Sequence, residues 1–515
     1  MFPMSEWFAV TRPNHPMADV RQAKKAISEL PATDSVKAIE QICIWLDCIA
    51  DNFDIKSDRR FQLIDLLDQA ARNHQRKISE EYMSGQRLLK IRENMLWDTA
   101  FRFSKLLSAG YNQCVEDFQS AKSGTSALTT QLPAIIARAM RALRFQLKWS
   151  LMRYGPIDDR IWGDLGRLYN FAESQRIVGA IVEVYPSPIT QKRSSVQQEF
   201  LKVMMLRVSS MDALNLFEQD IVERTVEQYG SHFVLHDKPT ASCTFSFDLS
   251  MRKSPARGKK DAKSVGDVRY FGAGDSTIEL AKLIAEARQK DDLPADINSK
   301  TMRDADLVLK VLEHLARYWS GLPPSRRSER HKRVMRLSVA PSLTGLFNEM
   351  ITDSNNDSLD FTQTESWIVE DANDGGYGAI IPHEKGDWIR VGTLVGLQSE
   401  TGNGWHAGII RRISQHKRVG IELLSTFASP VIVSFSDGSL TETNCDSHQA
   451  VLISRNPDEY GEITLLLPAD TFEPEQNLNM LLRGANYQLL PSKLIERGDA
   501  FECARFAIMQ CSYKT

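Results

Sequence analysis

The sequence predicts a multidomain α + β protein with a helical N-terminal half, a small mixed α/β middle segment and an antiparallel β-barrel followed by further β structure. Three observations predict this class. The chain of 515 residues is too long for one hydrophobic core. Apolar residues up to about position 230 recur at helical spacing, and residues after about 333 form short strand-like segments between turn residues.

The first range, 1–230, is predicted to be a helical scaffold domain. One predicted helix runs from Pro133 to Gly155, because proline is favoured in a first turn and glycine after a last one. Residues 35–50 contain apolar residues every three or four positions, and these share one helical face: Val36, Ile39, Cys43, Leu46 and Ala50.

A short motif in this half has large residues and a glycine at fixed spacing: Trp162, Leu165, Gly166 and Tyr169. It resembles the opening of a tetratricopeptide helix, in which the large residues pack on a neighbouring helix and glycine permits close approach. Only a single such unit is found, so an amphipathic helix in an irregular helical domain is favoured over a repeat array. Because no polar cluster has ligand spacing, we expect a protein-binding surface here rather than a second ligand site.

Three further ranges follow the helical half. Residues 231–320 contain strand-like segments and then helices, and the range ends at the Gly-Leu-Pro-Pro break, 321–324. Residues 321–430 are predicted to form the barrel, because short strands alternate there with turn residues. Residues 431–515 are predicted to be additional β structure, which either extends the first sheet or forms a second small domain.

Composition and motifs narrow the function classes. Formal net charge is −3, so no global field attracts nucleic acid or membrane. The seven cysteines are scattered and form no CxxC pair, which suits a reducing cytoplasm and disfavours structural zinc. No signal peptide or apolar run of membrane-spanning length is seen, and no P-loop, GxGxxG, HExxH or GxSxG motif occurs. These features predict a cytoplasmic binding protein without catalytic activity, cofactor or metal.

Two motifs in the predicted barrel contain the candidate ligand-binding residues. An RxxxR segment lies directly after the Pro-Pro break, and the segment DANDGG lies between two predicted strands. The same RxxxR spacing at Arg72 and Arg76 falls in a helical stretch, where salt bridging accounts for it. The candidate residues are Arg326, Arg327, Arg330, Asp371, Asn373 and Gly376.

The order of these motifs resembles the PilZ domain family, whose members are bacterial receptors for cyclic di-GMP. That family has an RxxxR loop ahead of a six-stranded barrel and a [D/N]xSxxG turn on a barrel strand. A later strand of similar character is RVGIELL, 418–424, and the resemblance covers about 322–425. Asn373 stands where the family usually has serine, and the interval from Arg330 to Asp371 is longer than usual.

The resemblance implies a ligand with two phosphates and two guanines, and the residue types suit it. Guanidinium groups fork onto phosphate or onto the O6/N7 edge of guanine. A carboxylate such as Asp371 accepts from guanine N–H groups, and Asn373 supplies both a donor and an acceptor. Gly376 permits close backbone approach, or a positive φ where a side chain would collide.

Three functions stay open at this point. The first is a cyclic di-GMP receptor that couples nucleotide level to an unknown protein partner through its helical half. The second is a degenerate PilZ-like protein-interaction scaffold without nucleotide binding. The third is a nucleic-acid binder, ranked last because few aromatic residues lie near its basic edge. That edge would comprise Arg411, Arg412, Lys417 and Arg418, with Trp405 and His406 close by.

Overall fold

The chain forms two compact units, each described here by itself. The first comprises Met1–Met211 and Leu216–Pro324, and the second comprises Asp212–Asn215 and Ser325–Thr515. A computed structural model describes the following residues: 15–52, 54–84, 88–184, 193–258, 267–290, 305–322, 331–354, 364–381, 388–400, 402, 404–414, 418–435, 447–458, 461–482 and 484–510.

The first unit is mostly helical. Its helices are α1 Val20–Ser28, α2 Ser35–Ala50, α3 Ser57–Tyr82, α4 Lys90–Gln119, α5 Leu132–Met152, α6 Arg160–Ser174, α7 Val196–Val208, α8 Leu216–Tyr229, α9 Ser276–Lys290 and α10 Ala305–Trp319. Its strands are β1 Val182–Glu183, β2 Arg193–Ser194, β3 Val234–His236, β4 Phe245–Asp248, β5 Ala256–Arg257 and β6 Val268–Gly272. β1 pairs with β2, and the other four form a sheet in the order β3-β6-β4-β5.

Local signals start several of these helices. The Asp34 carboxylate accepts from the backbone N–H of Lys37 at 3.1 Å and caps α2. Ser195 caps α7 in the same way, accepting from the N–H of Gln198 at 3.2 Å. Helix α5 has Pro133 in its first turn and is buried on nearly every face, so it is the central helix of the unit.

The tetratricopeptide-like residues lie in α6, and their packing differs from the repeat pattern. Trp162, Leu165 and Tyr169 are buried, as the pattern predicts. Gly166, however, approaches the backbone of Leu249 just after β4, where an added Cβ would lie 2.2 Å from the carbonyl oxygen. The close approach is therefore to the turn that follows β4 and not to a neighbouring helix.

Gly166→Ala is expected to lower the free energy of unfolding by about 1–3 kcal/mol, because the added methyl group meets backbone that cannot rotate away. Denaturant unfolding of the full chain measures the change. Gly163→Ala is the matched control on the same helix, since its added Cβ would meet only the flexible side chain of Arg252, at 3.0 Å from Cγ. Equal destabilisation by the two substitutions would contradict this account of Gly166.

The mixed middle segment packs on the helices. The Phe247 ring on β4 lies 6.4 Å from Trp162 and 5.8 Å from Phe200, centroid to centroid. The indole Nε1 of Trp319 donates to Ser209 Oγ at 2.9 Å. The ranges 1–230 and 231–320 therefore share a core within the first unit, and their independence as domains stays a prediction.

The second unit contains two closed antiparallel barrels of six strands each. The first barrel has the order β10-β11-β12-β9-β8-β7, from β7 His331–Pro341, β8 Glu365–Asn373, β9 Gly376–Ile380, β10 Leu394–Ser399, β11 His406–Ile413 and β12 Arg418–Ser425. The second has the order β13-β14-β15-β18-β17-β16, from β13 Ser429–Phe435, β14 Ser447–Leu452, β15 Glu462–Pro468, β16 Leu478–Leu482, β17 Ala485–Arg497 and β18 Phe501–Gln510. The predicted multidomain α + β class is confirmed, and the C-terminal β structure is a second barrel.

One helix of this unit, α11 Ser342–Ser354, is absent from the sequence prediction. It follows β7 directly, and Leu346 and Phe347 are buried in a core to which both barrels contribute. Leu394 of the first barrel and Leu466 of the second lie in that same core. Helix α11 thus joins the two barrels through apolar packing, and it accounts for much of the long interval between the two motifs.

Among the described helices of both units, none is long and apolar enough to cross a membrane.

Candidate ligand-binding site

The DANDGG segment forms a tight hairpin between β8 and β9. Asn373 pairs with Gly376, so Asp374 and Gly375 form a two-residue loop, for which Asp-Gly is a favoured sequence. The Asn373 side-chain oxygen accepts from the N–H of Gly375 at 3.1 Å. The N–H of Leu423 on β12 donates to the Gly375 carbonyl at 2.9 Å. The hairpin is therefore held both by its own side chain and by the neighbouring strand.

Gly376 is required by the barrel itself. Its φ is +151°, a conformation that L side chains rarely adopt, and an added Cβ would lie 1.9 Å from the carbonyl oxygen of Ile421. That oxygen belongs to β12, which pairs with β9 at this point. Strand-to-strand contact and the positive φ therefore both exclude a side chain at Gly376, and its role in ligand binding stays a prediction.

The Asp371 carboxylate is held by an arginine from another strand. Arg418, the first residue of β12, donates to Asp371 Oδ2, and its Nε also lies 3.5 Å from Glu370 Oε2. The Asp371 side chain is 17% exposed and that of Arg418 is 45% exposed. The site therefore has one oriented carboxylate with a partly exposed guanidinium beside it. From the sequence, Arg418 was expected on a different surface, because no local pattern indicates that β12 brings it to Asp371.

The start of β7 lies along this hairpin. His331 pairs with Ala372 and Lys332 pairs with Asp371, so β7 enters the barrel beside the candidate residues. Residues 331–334 are all exposed. The three arginines predicted as ligands, Arg326, Arg327 and Arg330, lie outside the described residues, and β7 begins one residue after the last of them.

These side chains form a surface suited to an anionic ligand with N–H donors. The carboxylate of Asp371 and the amide of Asn373 are hydrogen-bonding groups for the edge of a base. Lys332 and Arg333 on β7 and Arg418 on β12 are cations on two strands of the same barrel, and they attract phosphate. Within the described residues of both units, no group of His, Cys, Asp and Glu is arranged to hold a metal ion.

Arg418→Ala is expected to weaken ligand binding by roughly threefold to tenfold, because Asp371 loses the partner that orients it and the pair is partly exposed to solvent. Titration calorimetry with cyclic di-GMP measures the change. Arg412→Ala is the matched control, since Arg412 lies on β11 of the same barrel and pairs with Asp212 instead of the hairpin. If the two variants bind alike, Arg418 has no role in positioning Asp371.

The basic edge proposed for nucleic acid is largely neutralised. Arg411 is held by Glu422 and by Glu496, and its pKa is raised: burial lowers it, but the two carboxylates more than offset this. Arg412 and Arg418 also pair with carboxylates, as described above. Lys417 lies outside the described residues, and Trp405 is 5% exposed, so its ring is not open for base stacking. The described part of this edge therefore lacks the free positive charge and the open aromatic ring on which the nucleic-acid hypothesis depends.

The barrel and its hairpin define the class of protein. Residues 347–430 match the family described as "Cyclic-di-GMP receptor FimW, middle PilZ domain". The first barrel is a PilZ domain of the family of cyclic di-GMP receptors. The sequence prediction of this family is confirmed.

A second match identifies the receptor type more closely. Residues 21–240 match "Cyclic-di-GMP receptor FimW, N-terminal domain". The helical half is thus similar to a domain of the same receptor, and the matched families are receptors rather than enzymes. Neither match supports the tetratricopeptide-like unit. The middle-domain match includes Asp371, Asn373 and Gly376 and begins after the three candidate arginines.

Searches of curated proteins and of solved structures find no match to the chain.

Proposed function

We propose that the protein is a cytoplasmic receptor that binds cyclic di-GMP at the first barrel. Nucleotide binding then changes the interaction of its helical half with a protein partner. The observation that carries the proposal is the pairing of β7 with β8 inside a PilZ domain. His331 pairs with Ala372. Arg330 is joined to His331 by one peptide bond, so their Cα atoms lie about 3.8 Å apart. This tether supports a site that combines both motifs.

The arginines are assigned to the phosphates and to the outer edges of the guanines. Arg326 and Arg330 are four residues apart, and each guanidinium can fork onto a phosphate or onto guanine O6 and N7. Arg327 lies between them and adds a third cation. A ligand with two phosphates and two bases offers enough acceptors for all three.

The hairpin is assigned to the donor edge of a guanine. Asp371 accepts from guanine N–H groups while Arg418 holds its carboxylate, and the Asn373 amide supplies a donor and an acceptor. Gly376 keeps β9 against β12, so the hairpin has one position relative to the barrel. This arrangement is pre-formed, which lowers the entropic cost of binding.

Titration calorimetry of the full chain with cyclic di-GMP tests the binding step. We expect saturable binding, with GTP at equal concentration as the control for guanine and phosphate alone. When the ligand concentration is a hundredfold above Kd, binding should raise the apparent free energy of unfolding by roughly 3 kcal/mol. No binding of cyclic di-GMP at high micromolar concentration would refute nucleotide sensing and favour the degenerate scaffold.

The partner surface is assigned to the helical half. Leu89 is 80% exposed and Ile91 is 83% exposed, and these two apolar residues lie two positions apart at the start of α4. Large apolar side chains that are exposed close together are a common feature of interaction surfaces.

Pull-down from a bacterial lysate, with the full chain as bait and with or without cyclic di-GMP, tests this assignment. We expect a specific protein whose recovery depends on the nucleotide and is lost in Leu89→Asp with Ile91→Asp. Ile181→Asp is the control, because Ile181 is 71% exposed elsewhere on the same unit. If the same protein is recovered with and without nucleotide and with every variant, the assignment of the partner surface is refuted.

A further inference from the structure

A cavity of about 630 Å³ lies inside the helical unit, between α3, α4, α5, α7 and α8 and next to β2. Its volume is in the range of small-molecule sites. Two of its lining residues, Arg72 and Arg76, are the RxxxR pair that salt bridging was expected to explain. Arg76 does approach Glu80, at 3.8 Å, but both arginines also line this cavity. No polar cluster of the helical half has ligand spacing in the sequence, but folding brings charged side chains together around this cavity.

The lining has an excess of positive charge. Seven of its side chains are basic and four are acidic. The basic groups come from α3, α5, α7, α8 and β2, so distant parts of the sequence supply them. A cavity with this balance of charge attracts an anion.

The acidic groups of the lining are already paired with lysines and arginines. Glu199 Oε1 lies 2.8 Å from Lys202 Nζ, and Glu227 Oε1 lies 3.0 Å from the same atom. Asp220 Oδ2 lies 2.7 Å from Arg224 Nε. Each carboxylate therefore serves to hold a cation in place along the wall.

The pKa values report the same positive field. Burial raises the pKa of Glu199, but Lys202, Arg144 and Arg141 more than offset this and hold the pKa below its usual range. The pKa of Glu227 is lowered in the same way, with burial opposed chiefly by Arg144 and Lys202. Buried carboxylates remain ionised there only because the surrounding charge is positive.

Aromatic and acceptor groups add a second kind of recognition. Phe145 and Trp149 line the cavity, and the Arg141 guanidinium lies 5.5 Å from the Phe145 ring centroid. Glu199 is fully buried, and its Oε2 has no hydrogen-bond partner among the described residues. An unpaired buried acceptor is costly, and a ligand N–H would satisfy it.

We propose that this cavity is a second ligand site, for a nucleotide whose phosphates lie against the arginines and whose base lies against Phe145. Phosphate suits the forked guanidinium groups of Arg72, Arg141 and Arg193. A base supplies a flat face for the half-buried Phe145 ring and N–H groups for Glu199. The receptor would then bind nucleotides at two places, one in each compact unit.

The test uses the full chain with Arg326→Ala and Arg330→Ala, so that the first barrel does not contribute. Calorimetry measures binding of ATP, GTP, cyclic di-GMP and inorganic triphosphate up to about 1 mM. We expect one-to-one binding of at least one nucleotide, tighter than triphosphate because the base adds contacts.

Cavity variants then assign the binding to this site. Adding Arg72→Gln and Arg193→Gln should weaken nucleotide binding on the order of a hundredfold, since two charge-assisted contacts are lost. Arg21→Gln with Lys25→Gln removes the same charge from exposed positions on α1 and should change nothing. The buried Lys148 and Glu199 are left intact because their replacement would disturb folding.

Three results would overturn the proposal. One is the absence of binding by all three nucleotides, and another is equal binding by the cavity variant and its control. Triphosphate binding as tight as the nucleotide would refute the contact with a base.

Discussion

Replacing Arg326 and Arg330 together with Ala is expected to weaken cyclic di-GMP binding on the order of a hundredfold or more. Each arginine is proposed to make a charge-assisted hydrogen bond worth roughly 1.5–3 kcal/mol, and each 1.4 kcal/mol is about a factor of ten in affinity. Asp371→Ala should also weaken binding, by less if water replaces the carboxylate. Titration calorimetry of the full chain measures both changes.

The control for the arginine pair is Arg21→Ala with Lys25→Ala. These residues are four apart, exposed and on α1, so the spacing and the loss of charge are matched. Arg72 has the same RxxxR context but is unsuitable as a control, because it lines the cavity of the helical unit. Wild-type affinity in the Arg326 and Arg330 variant, together with unchanged binding by Asp371→Ala, would refute the assigned site.

Gly376→Ala is expected to destabilise the first barrel by about 2–4 kcal/mol and to abolish most ligand binding. The added methyl group would lie 1.9 Å from the Ile421 carbonyl oxygen, and φ of +151° is strained for any L side chain. Strands β9 and β12 would have to separate, and the hairpin with Asp371 would move with them. Thermal unfolding and calorimetry on the same preparation measure the two effects.

Gly375→Ala is the control for this substitution because it is the adjacent residue of the same hairpin. An added Cβ there would have only the Asn373 side-chain oxygen nearby, at an ordinary contact distance of 3.6 Å. We expect it to fold with stability close to wild type. A Gly376→Ala protein as stable as Gly375→Ala would show that β9 and β12 are not in the contact described.

Local patterns in the sequence were sufficient for the fold class and for the family. The DANDGG segment was expected between two strands, and β8, β9 and β12 were each predicted from their own composition. Such signals depend on residues within a few positions of one another, so they can be recognised in a single sequence. The order of the two motifs then identified the PilZ domain.

Two elements escaped prediction for a different reason. Helix α11 was missed because strand-forming segments surround it, and its apolar face is explained only by the two barrels on either side. The second barrel was left as one of two alternatives, because closure of a sheet depends on which strands pair at its ends. Pairing of distant strands has no marker in a single sequence.

The sequence by itself determined the helical and β halves, the turn at Asp374 and Gly375, and the PilZ identity of the barrel, because each depends on short-range chemistry. Tertiary structure alone decided that Arg418 holds Asp371, 47 residues away. It also decided that the backbone of Ile421 leaves no room for a side chain at position 376. It also gathered seven basic side chains from four helices and one strand around one cavity. The physical reason is that strand register and helix packing bring together residues far apart in the chain, and charges become a site only when they share one small volume.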